Sequence, residues 1–203
     1  ILASTAPLIA RMDADDVSHP QRLEKQVAFL RDHPDYVLVG TNAMVVDKDG
    51  VSLYETQLPE DDVAIRDALK VGLPFYHGSL MFYRQAAEQV GYYDIVPKIE
   101  DVLICRKLSA FGKMSNLRAP LYTFRLVPSG SNNMTPTVSK KRHDILFRLG
   151  QGHPLRNSDI EFLGSSTSTL TYRQRVGQYY LRVGKGILHY RGDRWAARKA
   201  LVK

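Results

Sequence analysis

Short apolar runs alternate with amphipathic stretches along the first 127 residues. The apolar runs are rich in β-branched and aromatic residues and end at turn residues, which is typical of strands. Strands are therefore predicted at 8–12, 36–47, 51–55, 79–83, 113–117 and 121–127. Helices are predicted at 61–71, 85–90 and 100–110. This mixture of strands and helices indicates the α/β class.

A further helix is predicted directly after the first strand. Ser18 and Gln21 have the spacing of a capping box. Leu23, Val27 and Leu30 then recur at helical spacing, so we expect them to form the buried face. A His-Pro pair ends this helix.

The composition changes after residue 127. Residues 128–137 are rich in Ser, Asn, Gly and Pro, which predicts a linker, and 140–149 can form a short basic helix. Residues 164–171 are a Ser/Thr-rich spacer, and 178–203 predict two helices with a turn at Gly192-Asp193. Their Gly, Tyr and Ala spacing is similar to one tetratricopeptide-type unit, although a simple docking hairpin fits equally well. The predicted units are 1–127, 128–170 (linker and basic helix) and 171–203 (helical hairpin).

The charge is unevenly distributed. The chain carries 28 Lys and Arg against 21 Asp and Glu, for a net charge of +7, which favours an anionic partner such as nucleic acid, a phosphorylated substrate or an acidic membrane surface. The segment after Arg125 is the basic part, so a basic tail is favoured over a nucleic-acid-binding body.

Cysteine content and hydropathy limit the function classes further. The single cysteine, Cys105, excludes an intrachain disulfide and a zinc site built from several cysteines, and it favours a reducing, cytoplasmic compartment. We expect Cys105 to be a core residue. No apolar stretch reaches the roughly 18–20 residues that a membrane-spanning helix needs.

Three aspartates follow the first predicted strand. Asp13, Asp15 and Asp16 stand where ligands bind in α/β sheets, at the carboxyl end of a strand. Carboxylate oxygens suit Mg²⁺ or Mn²⁺, which leave positions open for substrate phosphates. The simpler alternative is that Asp15 and Asp16 only stabilise a helix N-terminus.

Two later segments carry further candidates. His77 precedes Gly-Ser and a buried strand, a position that is more often structural than catalytic. Glu100 and Asp101 begin a predicted helix, and a carboxylate at that end is a candidate general base. The alternative for this pair is helix capping alone.

Together, the three segments are more specific than any one of them. Asp-x-Asp-Asp after a strand is followed by His-Gly-Ser-x-Met-Phe-x-Arg and then by Glu-Asp with Arg-Lys-Leu. This order resembles the family 2 glycosyltransferases with the GT-A fold, over residues 8 to about 127. The resemblance implies a mixed sheet flanked by helices, followed here by a C-terminal helical extension. It also implies inverting sugar transfer from a UDP- or dTDP-linked donor.

The resemblance also implies roles for individual residues. Asp15 is the expected main ligand of a Mg²⁺ or Mn²⁺ ion through the bound diphosphate, and Asp13 is expected near the ribose and the metal. Asp101 is the expected catalytic base, and His77 is expected near the acceptor or diphosphate. The acidic neighbours expected to line the site are Asp16 and Glu100. Two basic positions that recur in the family receive no role, namely Arg84 and Arg106.

The implied partners are a nucleotide-sugar donor and a saccharide or lipid-linked acceptor, with no nucleic acid. The implied process is polysaccharide or glycoconjugate biosynthesis. A basic tail is compatible with peripheral association at the inner face of a membrane, although a solvated charged face is the more common explanation.

The chain departs from the family at its beginning. Only residues 1–7 precede the first strand, whereas the family carries its nucleotide-base-binding half there. The resemblance therefore predicts a fragment or a chain completed by a partner, which by itself binds nucleotide poorly and has little activity.

Two other functions remain open from the sequence. A metal-dependent nucleotidyltransferase can use a similar acidic motif, but no glycine-rich or Lys/Arg phosphate loop is visible. A non-catalytic interaction module is the third alternative, with the basic hairpin binding a protein or an acidic membrane surface.

Overall fold

The computed structural model describes residues 1–128, 136–165 and 171–201. Within these ranges six strands form one sheet, in the order β1-β5-β3-β6-β2, with β4 paired to β3. The strands β3 and β6 run parallel over their whole length, and the other pairings are antiparallel. The strands are β1 Leu8–Ala10, β2 Val17–Ser18, β3 Tyr36–Val46, β4 Ser52–Glu55, β5 Met81–Tyr83 and β6 Lys113–Arg125.

Eight helices accompany the sheet in the described part of the chain. Gly192, with φ of 66°, separates the last two, so the predicted turn there is confirmed. A wide π-helical turn, Ile187–Arg191, extends the helix before it. The helices are α1 Arg22–Asp32, α2 Asp62–Ala68, α3 Arg84–Gln89, α4 Glu100–Leu108, α5 Pro136–Gly150, α6 Asn157–Ser165, α7 Tyr172–Gly186 and α8 Arg194–Leu201. The predicted mixed sheet with flanking helices and a C-terminal helical region is therefore confirmed.

The two faces of the sheet are covered by different helices. Successive strand residues point to opposite faces, so Leu38 packs with α4, α5 and α6, whereas Val39 packs under α1. Phe82 and Met81 divide between the same two faces. Cys105 is fully buried in the larger cluster, as predicted for a core residue.

The predicted start of α1 is wrong. Ser18 is not a cap, because it lies in β2 opposite Tyr122 of β6. Gln21 precedes the helix but its side chain makes no capping bond, and its backbone N–H instead donates to His19 Nδ1 at 3.2 Å. The sheet pairing of Ser18 fixes its backbone and takes it out of reach of the helix N-terminus.

The predicted buried face of α1 is also wrong. Leu23 and Val27 are 49% and 41% exposed, while the residues that are buried with Leu30 are Arg22 and Gln26. The helical period is as expected, but the buried stripe contains polar residues that hydropathy alone assigns to the surface.

Hydrogen bonds to backbone carbonyls explain this exchange. Arg22 donates to Gly78 O at 2.7 Å and to Arg11 O at 2.9 Å. Gln26 Nε2 donates to Ser79 O at 2.7 Å and to a carbonyl of β3 at 3.0 Å. Buried carbonyls require partners, so these two polar side chains stabilise the segments that form the site.

Other boundaries differ less. The two strands predicted at 113–117 and 121–127 are one strand, β6, with register shifts near Asn42 of β3. The basic helix predicted at 140–149 is longer, and α6 corresponds to no predicted element, since only its last two residues fall in the predicted Ser/Thr-rich spacer. Parts of the predicted linker and spacer, 129–135 and 166–170, lie outside the described residues.

The C-terminal hairpin packs on the sheet. Tyr179, Val183 and Ile187 of the first helix bury their side chains against Val45 and Leu126. Its separation as a tetratricopeptide-like unit stays a prediction, as do the other two domain boundaries. No helix in the described ranges is long and apolar enough to cross a bilayer.

Candidate active site

The loop after β1 holds its three aspartates in three environments. Asp15 is exposed, Asp13 is half-buried and Asp16 is buried. Arg11 Nη1 donates to Asp13 Oδ2 at 2.6 Å, which orients that carboxylate. Asp15 and Asp13 are therefore the two aspartates that remain accessible to a ligand.

Asp16 is a structural anchor. Its Oδ2 accepts a hydrogen bond from Tyr122 Oη at 2.7 Å, and its Oδ1 accepts one from the backbone N–H of Arg125 at 2.7 Å. Tyr122 Oη also accepts from the N–H of Asp13 at 3.3 Å. Burial raises the pKa of Asp16, and the two hydrogen bonds oppose this effect. These contacts tie the aspartate loop to β6.

A tight turn before β5 approaches this loop. Gly78 lies in the 3₁₀ turn His77–Ser79, and a Cβ at Gly78 would overlap Tyr122 Oη and lie 2.8 Å from Asp13 Oδ2. Only a residue without a side chain fits between these two groups. The Gly in the His-Gly-Ser segment therefore lets the turn contact the aspartate loop directly.

His77 is held as a neutral imidazole. Its Nε2 lies 2.9 Å from Tyr93 Oη, within hydrogen-bond distance. Burial lowers the pKa of His77 to about 4, with a further lowering from Arg11. At neutral pH the ring is thus available for hydrogen bonding and does not contribute positive charge.

The N-terminus of α4 carries the Glu-Asp pair. Asp101 Oδ1 accepts from the N–H of Val102 at 2.8 Å and lies 3.9 Å from Arg142 Nη2. Burial raises the pKa of Asp101, whereas Val102 and Arg142 act in the opposite direction. The buried Oε2 of Glu100 has no hydrogen-bond partner among the described residues. Two adjacent carboxylates therefore lie at the N-terminus of α4, one hydrogen-bonded to the backbone and the other with a buried oxygen that has no described partner.

The three sequence segments meet at one cavity. A cavity of about 280 Å³ is lined by all six predicted site residues, namely Asp13, Asp15, Asp16, His77, Glu100 and Asp101. It adjoins a larger cavity of about 860 Å³, with which it shares Asp13, Asp16, His77 and Asp101. The structure thus brings the six residues together, while their individual chemical roles stay predictions.

Several basic residues of the site were not identified from the sequence. The smaller cavity is also lined by Arg11, Lys98, Arg125, Arg142 and Arg182. The basic composition after Arg125 was a signal for the last two, but composition does not say which side chains converge. Their convergence depends on how α5 and α7 pack on the sheet.

The two basic positions noted in the resemblance lie elsewhere. Arg106 donates to the carbonyls of Leu69 and Leu146 and joins α4 to α2 and α5. Arg84 pairs with Glu88 one turn along α3. Neither lines the two cavities described above, so both have structural contacts.

The donor atoms near the aspartate loop fit a hard divalent cation together with substrate oxygens. In 1–128, 136–165 and 171–201, no group of three or more His, Cys, Asp or Glu side chains is arranged to hold a metal ion. Magnesium sites in nucleotide enzymes typically use one or two carboxylates and complete the shell with water and phosphate oxygens. Asp15 and Asp13 meet this requirement, whereas both oxygens of Asp16 are already hydrogen-bonded.

Comparison with known proteins gives consistent similarities. Residues 1–91 match the family model described as glycosyl transferase family 2. The putative glycosyltransferase EpsE of Bacillus subtilis (strain 168) is 36% identical over 128 residues, which are 60% of this chain and 44% of that protein. The O-antigen biosynthesis glycosyltransferase WbnJ of Escherichia coli is 37% identical over 86 residues, which are 42% of this chain and 33% of that protein. The chain thus spans less than half the length of these curated relatives.

A solved structure is also similar, at a lower sequence identity than these relatives. The mannosyltransferase PcManGT from Pyrobaculum calidifontis, in complex with GDP-Man and Mn²⁺, is 15% identical, with a TM-score of 0.48. The similarity covers 98% of this chain and 50% of that chain.

Proposed function

We propose that this site transfers a sugar from a nucleoside-diphosphate sugar to an acceptor hydroxyl, with inversion, and the match of residues 1–91 to the family model described as glycosyl transferase family 2 supports the proposal. The observation that carries the proposal is the convergence of six side chains from three separate segments on one 280 Å³ cavity. A one-step displacement requires a base and a stabilised leaving group, and needs no enzyme nucleophile.

Asp101 is the proposed general base. It is partly buried at the N-terminus of α4, and burial raises its pKa, so it binds a proton more strongly than an exposed aspartate does. A general base lowers the barrier because it removes the proton of the acceptor hydroxyl while the hydroxyl oxygen attacks the sugar. Glu100 places a second carboxylate next to it at the same cavity.

Asp15 and Asp13 are the proposed residues that hold the donor diphosphate, through a Mg²⁺ or Mn²⁺ ion. When bound, such a cation supplies positive charge that stabilises the departing nucleoside diphosphate. Arg11 keeps Asp13 in place through its 2.6 Å ion pair, and Arg125 and Lys98 add positive charge at the same cavity. His77, as a neutral ring, donates or accepts a hydrogen bond near the reacting groups.

The proposed process is the biosynthesis of a polysaccharide or glycoconjugate. The support is the similarity to a protein named for O-antigen biosynthesis.

Donor turnover tests the proposed function. The protein is supplied with a set of nucleotide sugars and Mn²⁺, and release of nucleoside diphosphate is measured with and without acceptor saccharides. Asp101→Asn is expected to lower kcat by at least about 100-fold, the usual contribution of a general base. Asp15→Asn is expected to weaken the metal-dependent binding of the donor.

Asp144→Asn is the matched control, because Asp144 is exposed on α5 and lines neither cavity. It is expected to leave turnover unchanged. Full transfer activity in Asp101→Asn would show that the base is another residue, and absence of turnover with every donor would reject the proposed function.

A further inference from the structure

One face of α7 points into the larger cavity. Gln178, Leu181, Arg182 and Lys185 all line it, and their spacing of three and four residues places them on the same side of a helix. A second helix, α5, contributes to the lining from another part of the chain. Its lining residues are Ser139, Lys140, Arg142 and His143. Two helices of the C-terminal region thus present cationic side chains to one space.

Most of these cations lack a carboxylate partner. In the described part of the chain, Lys140, Arg182 and Lys185 form no ion pair. Arg142 is engaged with Asp101 at 3.9 Å and donates to Lys98 O at 2.6 Å. Arg142 therefore has protein partners, whereas the other three cations are available to a ligand.

Arg182 is the most informative of the three. Lys140 and Lys185 are exposed and can be solvated, but Arg182 is partly buried beside Tyr54 and Tyr76. Burial lowers its pKa, although not enough to discharge a guanidinium at neutral pH. A charge removed from water without a counter-charge is unfavourable, so its retention at a cavity wall favours an anionic ligand.

The charge distribution agrees with such a ligand. Residues 126–203 contain fourteen Lys and Arg but only four Asp and Glu. The rest of the chain is slightly acidic, with fourteen basic and seventeen acidic residues. The whole positive excess of the protein therefore lies in the C-terminal region, which includes the two helices of this wall.

The two cavities differ in their lining residues, and this difference suggests one cavity for the donor and the other for the acceptor. Asp15, the proposed metal ligand, lines only the smaller cavity, while Lys140 and Lys185 line only the larger one. Asp101, the proposed base, lines both cavities, and Arg182 also lies at the boundary between them. A donor diphosphate at Asp15 thus leaves the larger cavity to the acceptor, whose hydroxyl has to reach Asp101. Aromatic side chains at that cavity, including Tyr76 and Phe124, supply surfaces on which a sugar ring packs.

We propose that Arg182, together with Lys140 and Lys185, binds a phosphate or diphosphate group carried by the acceptor. This inference rests on the proposed function, because it assigns the larger cavity to the acceptor of the same reaction. It goes beyond that function by naming the acceptor class: a saccharide whose far end bears an anionic phosphate ester. A neutral oligosaccharide makes no use of these three cations.

Binding of phosphate probes tests the proposal. Isothermal titration with inorganic pyrophosphate, glucose 1-phosphate and geranyl diphosphate is carried out in EDTA, where the aspartate loop repels anions. The variants are Arg182→Gln, Arg182→Lys and the control Arg173→Gln, since Arg173 is exposed on the same helix and lines neither cavity. Arg182→Gln is expected to weaken binding by about tenfold or more, the usual effect of losing a charge-assisted bond. Arg182→Lys is expected to retain part of the affinity, and Arg173→Gln all of it.

A second titration separates donor from acceptor. Nucleoside diphosphate is titrated in the presence of Mn²⁺ into the same variants, and the proposal expects Arg182→Gln to lose less affinity for it than for the phosphate probes. An equal loss in both titrations would assign Arg182 to the donor diphosphate and overturn the proposal. Equal binding of the phosphate probes by Arg182→Gln and wild type, or no binding by either, would also overturn it.

The remaining outcomes identify the source of the phosphate and keep the two proposals apart. Tighter binding of glucose 1-phosphate supports a sugar phosphate, and tighter binding of geranyl diphosphate supports a lipid-linked diphosphate. Phosphate binding that depends on Arg182, without any nucleotide-sugar turnover, would retain the anion site and reject the proposed function. If thermal unfolding shows that Arg182→Gln does not fold, Arg182→Lys is compared with the wild type instead. An unchanged affinity of Arg182→Lys for the phosphate probes would then overturn the proposal.

Discussion

The hydroxyl of Tyr122 donates a 2.7 Å hydrogen bond to Oδ2 of Asp16, across 106 residues of sequence. The same hydroxyl accepts a bond from the N–H of Asp13 at 3.3 Å. One side chain of β6 thereby fixes both ends of the acidic loop after β1. The position of Asp13 and Asp15 at the cavity depends on this contact, and not on a helix cap.

Removing this hydroxyl tests the anchoring. Tyr122→Phe is expected to lower the free energy of unfolding by about 1–3 kcal/mol, because Asp16 remains buried with one partner fewer. It is also expected to raise the KM for the donor more than it lowers kcat, since the loop holds the donor. Chemical denaturation and donor kinetics measure the two effects.

Tyr36→Phe is the control for this change. Within the described part of the chain the Tyr36 hydroxyl makes no side-chain hydrogen bond, and Tyr36 lines neither cavity. A Tyr122→Phe protein with wild-type stability and wild-type KM would show that the contact does not position the loop.

Gly78 gives a sterically matched test. Gly78→Ala places a Cβ against Tyr122 Oη and 2.8 Å from Asp13 Oδ2, so both groups have to shift. We expect a loss of about 1–3 kcal/mol in stability, as for other overpacked sites, together with a strong loss of turnover. Gly72→Ala is the control, since a Cβ there meets no atom within 4 Å. If both variants behave alike, the close approach at Gly78 has no functional consequence.

Arg142 provides a test of the proposed base through pH. The positive charge of Arg142 lowers the pKa of Asp101, which burial raises. Arg142→Gln removes that charge and is therefore expected to raise the pKa further, which moves the acidic limb of the kcat profile to higher pH. Arg173→Gln is expected to leave the profile unchanged. A limb that stays in place in Arg142→Gln would argue against Asp101 as the group that titrates.

His77 makes the stability of the fold depend on pH. Its pKa is about 4 in the folded protein against 6.5 as the ordinary value. As the pH falls from 6.5 toward 4, the unfolded chain binds a proton that the folded chain excludes, so stability is lost across this window. The expected loss from this group between pH 7 and pH 5 is about 2 kcal/mol.

The comparison of wild type with His77→Gln isolates this contribution. Urea denaturation at pH 7 and pH 5 is expected to show a smaller loss of stability in the variant, because its side chain does not titrate. An identical loss in both proteins would mean that other groups cause the pH dependence.

The sequence determined the local elements and the identity of the acidic segments. Apolar periodicity located the strands β1, β3, β4 and β5 within a few residues, because burial imposes its own spacing on each element. The order of Asp-x-Asp-Asp, His-Gly-Ser and Glu-Asp indicated the family that the match over residues 1–91 supports. Such signals are legible because they are carried by residues close to one another in the chain.

Tertiary structure decided which polar side chains are buried and which charged side chains face the cavity, because both depend on contacts between residues that are distant in the sequence. Arg22 and Gln26 are buried because strand carbonyls need donors, so hydropathy gave the wrong face of α1. Asp16 is withdrawn from ligands because β6 brings Tyr122 to it. Arg182 faces the cavity because α7 packs on the sheet. Each of these outcomes depends on a partner dozens of residues away, and the free energy of satisfying a buried polar group is set by that partner and not by the residue alone.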